Sequence, residues 1–368
     1  MIFYILLGVA TIITLAVWAK LRSVFTLFKS KEPATLSAGL DALPTVSLCI
    51  PARDEMHAMS DCLENALLSN YLKLEIIVLD DGSRDDTGHL IKSFAHSGVR
   101  FVEGSALPDG WLGKNHALAG LLHEASGDLI LYADVDTRFE KDSISRMVAY
   151  MTAEKADMIS VLPYRKDVRR ASAKYATFRH FWSLIGHTTK RPAVSSSAWM
   201  VKREVLLGEF EGLKAISRAV RPDRAVAQQL SARSAYRYVI SRHYMGVSYD
   251  KTLPAQYETS IRIYYPDFGL IGVLLRVVAL ALMLLPYVMV VYGLFTGDLR
   301  LALAAFVVTV IMSVINAWYL GVLKSYAYGP SSLLLPFLMA REVYLLLASV
   351  IMYKRGRVTW KGRPVSLH

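Results

Sequence analysis

The sequence predicts an α/β domain held between membrane segments. Of 368 residues 54% are hydrophobic and mean hydropathy is +0.33, too apolar for an ordinary soluble domain. Charged residues still reach 20%, too many for a chain embedded in lipid throughout. Between apolar ends, short apolar runs that close on polar clusters alternate with helical patterns, as in βαβ units. The net charge of +11 would suit nucleic acid or an anionic membrane surface. The membrane-length runs select the membrane and leave nucleic acid out. Cys49 and Cys62 supply neither a disulfide framework nor a CxxC metal pair, which fits a reducing compartment.

Met1–Ala19 is uncharged and of membrane length, with Lys20 and Arg22 next. It has no basic start and no small-residue cleavage site, so residues 1–20 read as a retained anchor rather than a signal peptide. Lys20, Arg22, Lys29 and Lys31 place the following side in the cytoplasm. Residues 21–44 read as a linker and 45–250 as the α/β domain. Strands are expected at Val46–Ala52, Leu74–Asp80, Val99–Glu103 and Asp128–Ala133, with helices at Met56–Leu68, Asp85–Ala95 and Asn115–Glu124. The strands are continuous apolar runs, the pattern of a parallel sheet covered on both faces. A strand at Met158–Leu162, a helix from Ala171 to His187, a strand–helix passage over Ser197–Phe210 and a helix at Asp223–Ser231 follow.

Residues 251–267, containing PAQYETSIRIYY, read as interfacial, and 268–352 as two or three membrane segments. Phe268–Phe295 and Leu301–Val322 are apolar enough to span. Ser331–Met352 carries Arg341 and Glu342 at its middle, costly at a bilayer centre, and reads as interfacial or re-entrant. The basic tail, 353–368, belongs in the cytoplasm, which an even number of spans after the domain allows.

Ligands of open α/β sheets bind beyond the carboxyl ends of the strands. Three strand ends carry polar clusters: PARDE (Pro51–Glu55), DDGSRDD (Asp80–Asp86) and ADVD (Ala133–Asp136). Each alone could be turn chemistry, since Asp and Gly form turns; together on one sheet edge they point to a site. Asp134 and Asp136, two apart, can face one side of an extended strand end. Such carboxylates suit Mg²⁺ or Mn²⁺, which keeps room for phosphate oxygens and neutralises a departing diphosphate. Asp80 and Asp81 suit hydrogen bonding to a base and ribose. The loop GWLGKNHA offers Lys114 to a phosphate, with Gly110 and Gly113 allowing close backbone approach. His116 suits a ligand contact or local packing at a helix start.

The ordered motifs PARDE, DDGSRDDT, GWLGKNHA and ADVDT resemble family 2 glycosyltransferases of the GT-A fold, a Rossmann-like mixed sheet. GWLGKNHA and the tail GRVTWKGR narrow the likeness to the membrane-bound subgroup that includes diaponeurosporenoate (carotenoid) glucosyltransferase and hopanoid-associated transferases. The resemblance spans Val46 to about Ser231 and the tail. It implies a UDP-sugar donor, with glucose as the default sugar, a lipid or terpenoid acceptor, and inversion at the anomeric carbon. Donor-binding positions would be Pro51, Ala52, Arg53, Glu55, Asp80, Asp81, Gly82, Lys114 and Asp134, with Asp134 and Asp136 holding the Mg²⁺ or Mn²⁺. It also implies a multi-pass protein of the cell inner (plasma) membrane with its catalytic domain in the cytoplasm.

An inverting transferase needs a base for the acceptor hydroxyl, in this family the Asp of a Glu-Asp motif opening a helix. The matching segment is RPDRAVAQQL, which makes Asp223 the candidate; Pro222 stands where the family has Glu, and Pro-Asp is also ordinary helix capping. Arg221 and Arg224 suit a diphosphate or lipid headgroups. Ser195–Ala198 and Trp199, which replaces a glycine common in the family, are expected near acceptor or sugar. Gln256 and Arg262 lie where processive members carry Q/RxxRW, but the pattern is absent, favouring transfer of one sugar over polymerisation or polyprenyl-phosphate polysaccharide chemistry. LILYADVDT also fits the nucleophile signature of haloacid-dehalogenase-type phosphatases. The two acidic strand ends before it, and the lack of a later acidic pair, speak against that. A degenerate, non-catalytic scaffold is the remaining alternative; the intact DVD opposes it.

Overall fold

The computed structural model describes residues 1–28, 42–165, 177–241, 244–323 and 332–365. The helix α1 spans Ile2–Leu27. The domain then runs β1 (Val46–Ala52), α2 (Met56–Leu67), β2 (Leu74–Asp80), α3 (Thr87–Ser93), β3 (Val99–Glu103), α4 (Gly113–Glu124) and β4 (Leu129–Ala133). Next come β5 (Thr137–Phe139), α5 (Ser143–Ala153), β6 (Met158–Leu162), β7 (Tyr164–Arg165) and α6 (Thr177–Ile185). The domain closes with β8 (Ala198–Lys202), α7 (Arg203–Glu209), α8 (Pro222–Ala232), β9 (Tyr236–Ile240) and β10 (Val247–Tyr249).

Seven strands form one mixed sheet in the order β3-β2-β1-β4-β8-β6-β9. β8 is antiparallel to both of its neighbours, β4 and β6, and the other pairings are parallel. Side chains of a strand alternate between faces, and here both faces are covered. Val46, Leu48 and Ile50 of β1 join one core, with Leu63 of α2 and Met147 of α5. Cys49, with Ile77 and Leu79 of β2 and Ile130 and Tyr132 of β4, joins the other, under α4. This explains the unbroken apolar runs. A smaller sheet, β5-β10-β7, sits beside it.

Three helices follow: α9 (Leu253–Thr296), α10 (Leu299–Val322) and α11 (Leu335–Lys354). These and α1 are the four helices among the described residues long and apolar enough to cross a membrane. A short hairpin, β11 (Thr359–Trp360) with β12 (Arg363–Pro364), ends the described chain. The second core also takes Leu21, Val24 and Phe25 of α1 and Tyr319 and Leu320 of α10. Residues 21–27, expected in a linker, are therefore helical and docked; 29–41 lie outside the described residues.

Further boundaries differ for local reasons. Asp85 accepts from the backbone N–H and hydroxyl of Thr87, so the third helix begins at Thr87 rather than Asp85. Of the helix expected over Ala171–His187, residues 171–176 lie outside the described residues and the rest ends at Ile185. The segment expected as interfacial is helical from Leu253 and continues into the first apolar run, broken only at Gly269 (φ 64°, ψ 176°). Just before the break the Ser349 hydroxyl is inserted into the helix: it accepts from Tyr265 N–H at 2.9 Å and donates to Ile261 C=O at 2.5 Å. Glu342, the acid at the middle of α11, is fully buried and accepts from the Trp182 indole N–H at 2.7 Å. Arg341 lies 5.6 Å from the Tyr257 ring centre, a cation over an aromatic face. Both charges thus find protein partners.

Candidate active site

Because β2 and β4 flank β1 and both pair with it in parallel, the carboxyl ends of the three strands share one edge. Antiparallel β8 begins at that edge, with Ala198 opposite Ala133. The backbone there is cross-tied: Asp134 N–H and the Thr137 hydroxyl both donate to Ser197 C=O, at 3.1 and 2.7 Å. A cleft of about 430 Å³ opens over the edge, lined by Pro51, Glu55, Lys114, Asp134, Asp136 and Arg262 among others. Five sequence-predicted positions therefore meet in one cavity.

Asp134 accepts from the Lys114 ammonium at 2.6 Å. Burial pushes the Asp134 carboxyl up, but Lys114, Lys251 and Arg262 outweigh it and hold the pKa below the ordinary carboxylate value. Asp136 lies 3.4 Å from Lys251 through Oδ2, while its buried Oδ1 has no hydrogen-bond partner among the described residues. A buried acceptor oxygen without a donor is costly, and it fits a cation bound from the cleft. No group of three or more His, Cys, Asp or Glu among the described residues could hold a metal alone. Two carboxylates completed by diphosphate oxygens is the arrangement these side chains fit.

Arg53, Asp80, Asp81 and Gly82 form a closed knot beside the cleft rather than lining it. Asp80 accepts from the Ser83 backbone N–H and hydroxyl, shaping the turn that Gly82 (φ 69°) allows. Arg53 donates to the carbonyls of Asp81 and Gly82, the latter at 3.0 Å. Ala52 is buried and its carbonyl accepts from Asp81 N–H at 2.8 Å. The Asp81 carboxylate, 2% exposed, binds Arg363 of the terminal hairpin at 2.6 Å. Burial raises its pKa against the pull of Arg363 and Arg53. Glu55, also raised by burial, takes Lys361 at 2.8 Å.

Asp223 lies in the first turn of α8 behind Pro222, 1% exposed. Arg221 grips both its oxygens, at 3.2 and 2.8 Å, and also reaches Asp267 at 3.4 Å. Burial pushes the Asp223 carboxyl up, yet Arg221, helped by Lys114 and Arg224, holds it below the usual range. Arg224 pairs with Asp267 at 2.9 Å. A pocket of about 50 Å³ lies here, lined by Asp223, Ser195, Trp182 and Tyr264. Lys114, Thr259 and Arg262 line both this pocket and the larger cleft, so the two adjoin. A third, mainly apolar cavity of about 120 Å³ between α1, α6, α9, α10 and α11 shares Trp182 with the pocket.

Asn115 ties α4 to the loop before Asp223, donating to the carbonyls of Ile216, Ser217 and Ala219 at 3.0, 2.8 and 2.9 Å. His116 packs edge-on to Trp111, 5.8 Å between centroids, the local-packing alternative. Trp199 is a correction: it is 1% exposed, lies 4.5 Å from the Tyr132 ring and lines neither cavity. Its β8 position points into the core, while Ser195 reaches the pocket. At Gly113 the close approach is by Arg363, whose Nη1 would sit 2.8 Å from a Cβ. Lys251, Asp267, Lys361 and Arg363 were not predicted from sequence.

Residues 47–207 match the model described as Glycosyl transferase family 2. This stretch is a family 2 glycosyltransferase domain. The fold is the α/β mixed sheet expected, seven strands wide, with helices apolar enough to cross a membrane at both ends. The chain is similar to 4,4'-diaponeurosporenoate glycosyltransferases of Staphylococcus aureus. In strain RF122 / ET3-1 the identity is 28% over 123 residues, 33% of this chain and 32% of the relative; in strain USA300 it is 29% over 122 residues. The chain thus spans about a third of the length of these curated relatives. Among solved structures it is similar to a mannosyltransferase from Pyrobaculum calidifontis in complex with GDP-Man and Mn²⁺ (TM-score 0.49, 18% identity, 93% of this chain and 98% of that one). It is also similar to glucosyl-3-phosphoglycerate synthase from Mycobacterium tuberculosis (TM-score 0.38, 20% identity, 61% and 80%). Likeness at that level says nothing about donor or acceptor.

Proposed function

We propose that this chain is an inverting, metal-dependent transferase that moves one sugar from a UDP-sugar, glucose first among those to test, to a hydroxyl of a lipid or terpenoid acceptor at the cytoplasmic face of the inner membrane. The observation that carries it is the adjoining pair of cavities: paired carboxylates in one, a buried carboxylate in the other, and two cations, Lys114 and Arg262, at the junction. Pro51 and Glu55, backed by the knot of Ala52, Arg53 and Asp80–Gly82, would form the nucleoside end, and Asp134 and Asp136 would hold Mg²⁺ or Mn²⁺ against the diphosphate. The bound ion supplies charge neutralisation as the sugar–phosphate bond breaks.

Asp223 accepts the proton of the acceptor hydroxyl as that oxygen bonds to the anomeric carbon. The bond to the diphosphate breaks on the opposite face, which inverts the centre. Lys114 and Arg262 stand where negative charge gathers on the leaving oxygen. The apolar cavity that shares Trp182 with the Asp223 pocket would take the acceptor's hydrocarbon, presenting its hydroxyl to the base. Tyr319 at the end of α10 lies in the domain core, and the hairpin after α11 meets the strand-end loops, which supports the carboxyl ends of α10 and α11 lying on the domain's side.

The deciding experiment compares UDP-, GDP- and dTDP-sugars with the detergent-solubilised protein, with and without Mn²⁺. Metal-dependent turnover of one UDP-sugar, lost in Asp136→Ala, is the expected result. Absence of nucleotide binding under any metal would overturn the proposal.

A further inference from the structure

The terminal hairpin does more than trail from the last helix. Its residues reach loops 282 to 308 positions away in sequence. Arg363 binds the Asp81 carboxylate at 2.6 Å and the Asp81 carbonyl at 3.3 Å. The Lys361 ammonium binds Glu55 at 2.8 Å and the Asp54 carbonyl at 3.1 Å, and the Lys361 carbonyl accepts from Arg53 at 3.2 Å. Trp360 Cζ3 would stand 3.5 Å from a Cβ at Gly113. Every loop assigned to the donor except the Asp134–Asp136 turn is thus touched by one six-residue hairpin.

The hairpin owes its order to these contacts. Its strands are two residues each, and Lys361 (φ 49°) and Gly362 (φ 79°) both occupy the left-handed region its two-residue turn requires. A hairpin this short is not stable alone, and a lysine at positive φ carries strain that its surroundings must hold. The donor loops hold it.

We propose, resting on the glycosyltransferase reading above, that this hairpin is a wall of the donor site, with Trp360 packing against the nucleoside diphosphate and Arg363 positioning it through Asp81. Two observations separate a wall from a plug. With the hairpin seated, Trp360 and Lys361 line the open cleft that contains Asp134 and Asp136. And the Asp81 carboxylate, closed off beside the cleft, is neutralised by Arg363 at 2.6 Å, so seating the hairpin leaves no unpaired negative charge at the nucleoside end. The domain is then incomplete without residues that follow its last membrane helix.

The test measures binding of UDP and of GDP in Mn²⁺ to the full-length solubilised protein and to Arg363→Ala, Arg363→Lys and Trp360→Ala. A dissociation constant raised at least tenfold in Arg363→Ala and Trp360→Ala, partly recovered in Arg363→Lys, with the acceptor KM unchanged, is expected. A merely structural role would lower the active fraction and leave the dissociation constant alone. Should Arg363→Ala not fold, Trp360→Ala, which keeps the ion pair, decides alone. Unchanged nucleotide affinity in a variant whose parent binds would overturn the wall, and tighter binding would make the hairpin a plug. A parent that binds neither nucleotide sinks the glycosyltransferase reading itself.

Discussion

Replacing Arg221 by Met removes the group that keeps Asp223 ionised in a nearly closed pocket. The side chains of this pair are 13% and 2% exposed, and both Asp223 oxygens are engaged. Breaking a buried pair by deleting one partner costs about 3–5 kcal/mol. Asp267 keeps Arg224, so the loss centres on Asp223. At about 2–4 °C per kcal/mol for a domain near this size, the thermal midpoint in detergent should fall by roughly 6–20 °C at neutral pH. The sign with pH follows. In the parent the folded pKa of Asp223 lies below its unfolded value, so its contribution is complete above about pH 4 and lost as pH falls through the folded pKa. In the variant only Lys114 and Arg224 oppose burial, and the folded pKa rises. The penalty is therefore absent in acid, grows from about pH 4 and is complete above the raised pKa. The gap between parent and variant should narrow on acidification, and the acid limb of the kcat/KM profile should move to higher pH. Adding Asp223→Asn to Arg221→Met should restore most of the lost stability, because no charge is left unpaired. Equal destabilisation at pH 5 and 8, or a double variant no more stable than the single, would refute the reasoning.

Three further outcomes are expected. Asp136→Asn should abolish the gain in UDP affinity that Mn²⁺ brings, tenfold or about 1.4 kcal/mol as a minimum, read by titration with and without the ion. Asn115→Ala strips the side-chain donor from three carbonyls in the loop before Asp223 and should cost about 1–3 kcal/mol by thermal unfolding, with turnover falling alongside. Gly127→Ala would put a Cβ 2.6 Å from the Ser47 hydroxyl and 2.7 Å from Ser47 N, and should destabilise by about 1–3 kcal/mol while leaving nucleotide affinity unchanged in the folded fraction.

The parallel strands were legible because a strand covered on both faces must be apolar at every position, and β1 and β2 match the expected bounds residue for residue. Asp134 and Asp136, picked out because strand ends in such sheets face ligands, and Lys114, picked out from a glycine-flanked loop, all line one cleft. Long-range pairing was not legible. Nothing local in PDFG marks Asp267 as the counter-charge to Arg221 and Arg224, and nothing in a basic tail says that Arg363 and Lys361 neutralise Asp81 and Glu55. Trp199 misled because the family resemblance put it beside the acceptor, whereas its side of β8 turns the ring into the core against Tyr132. The extent of α1 was hidden because Leu21, Val24 and Phe25 are apolar for the sake of the sheet's core.

That shared core has a practical edge. Leu21, Val24 and Phe25 from one end of the chain, and Tyr319 and Leu320 from near the other, pack with Trp199 and Tyr236 in a single cluster. A truncated form cut free of its helices would bare that face to water and lose the side chains that fill it. Where the four apolar helices cross a bilayer, the same cluster would act as a depth gauge, holding the sheet, and Asp223 with it, at one height relative to those helices.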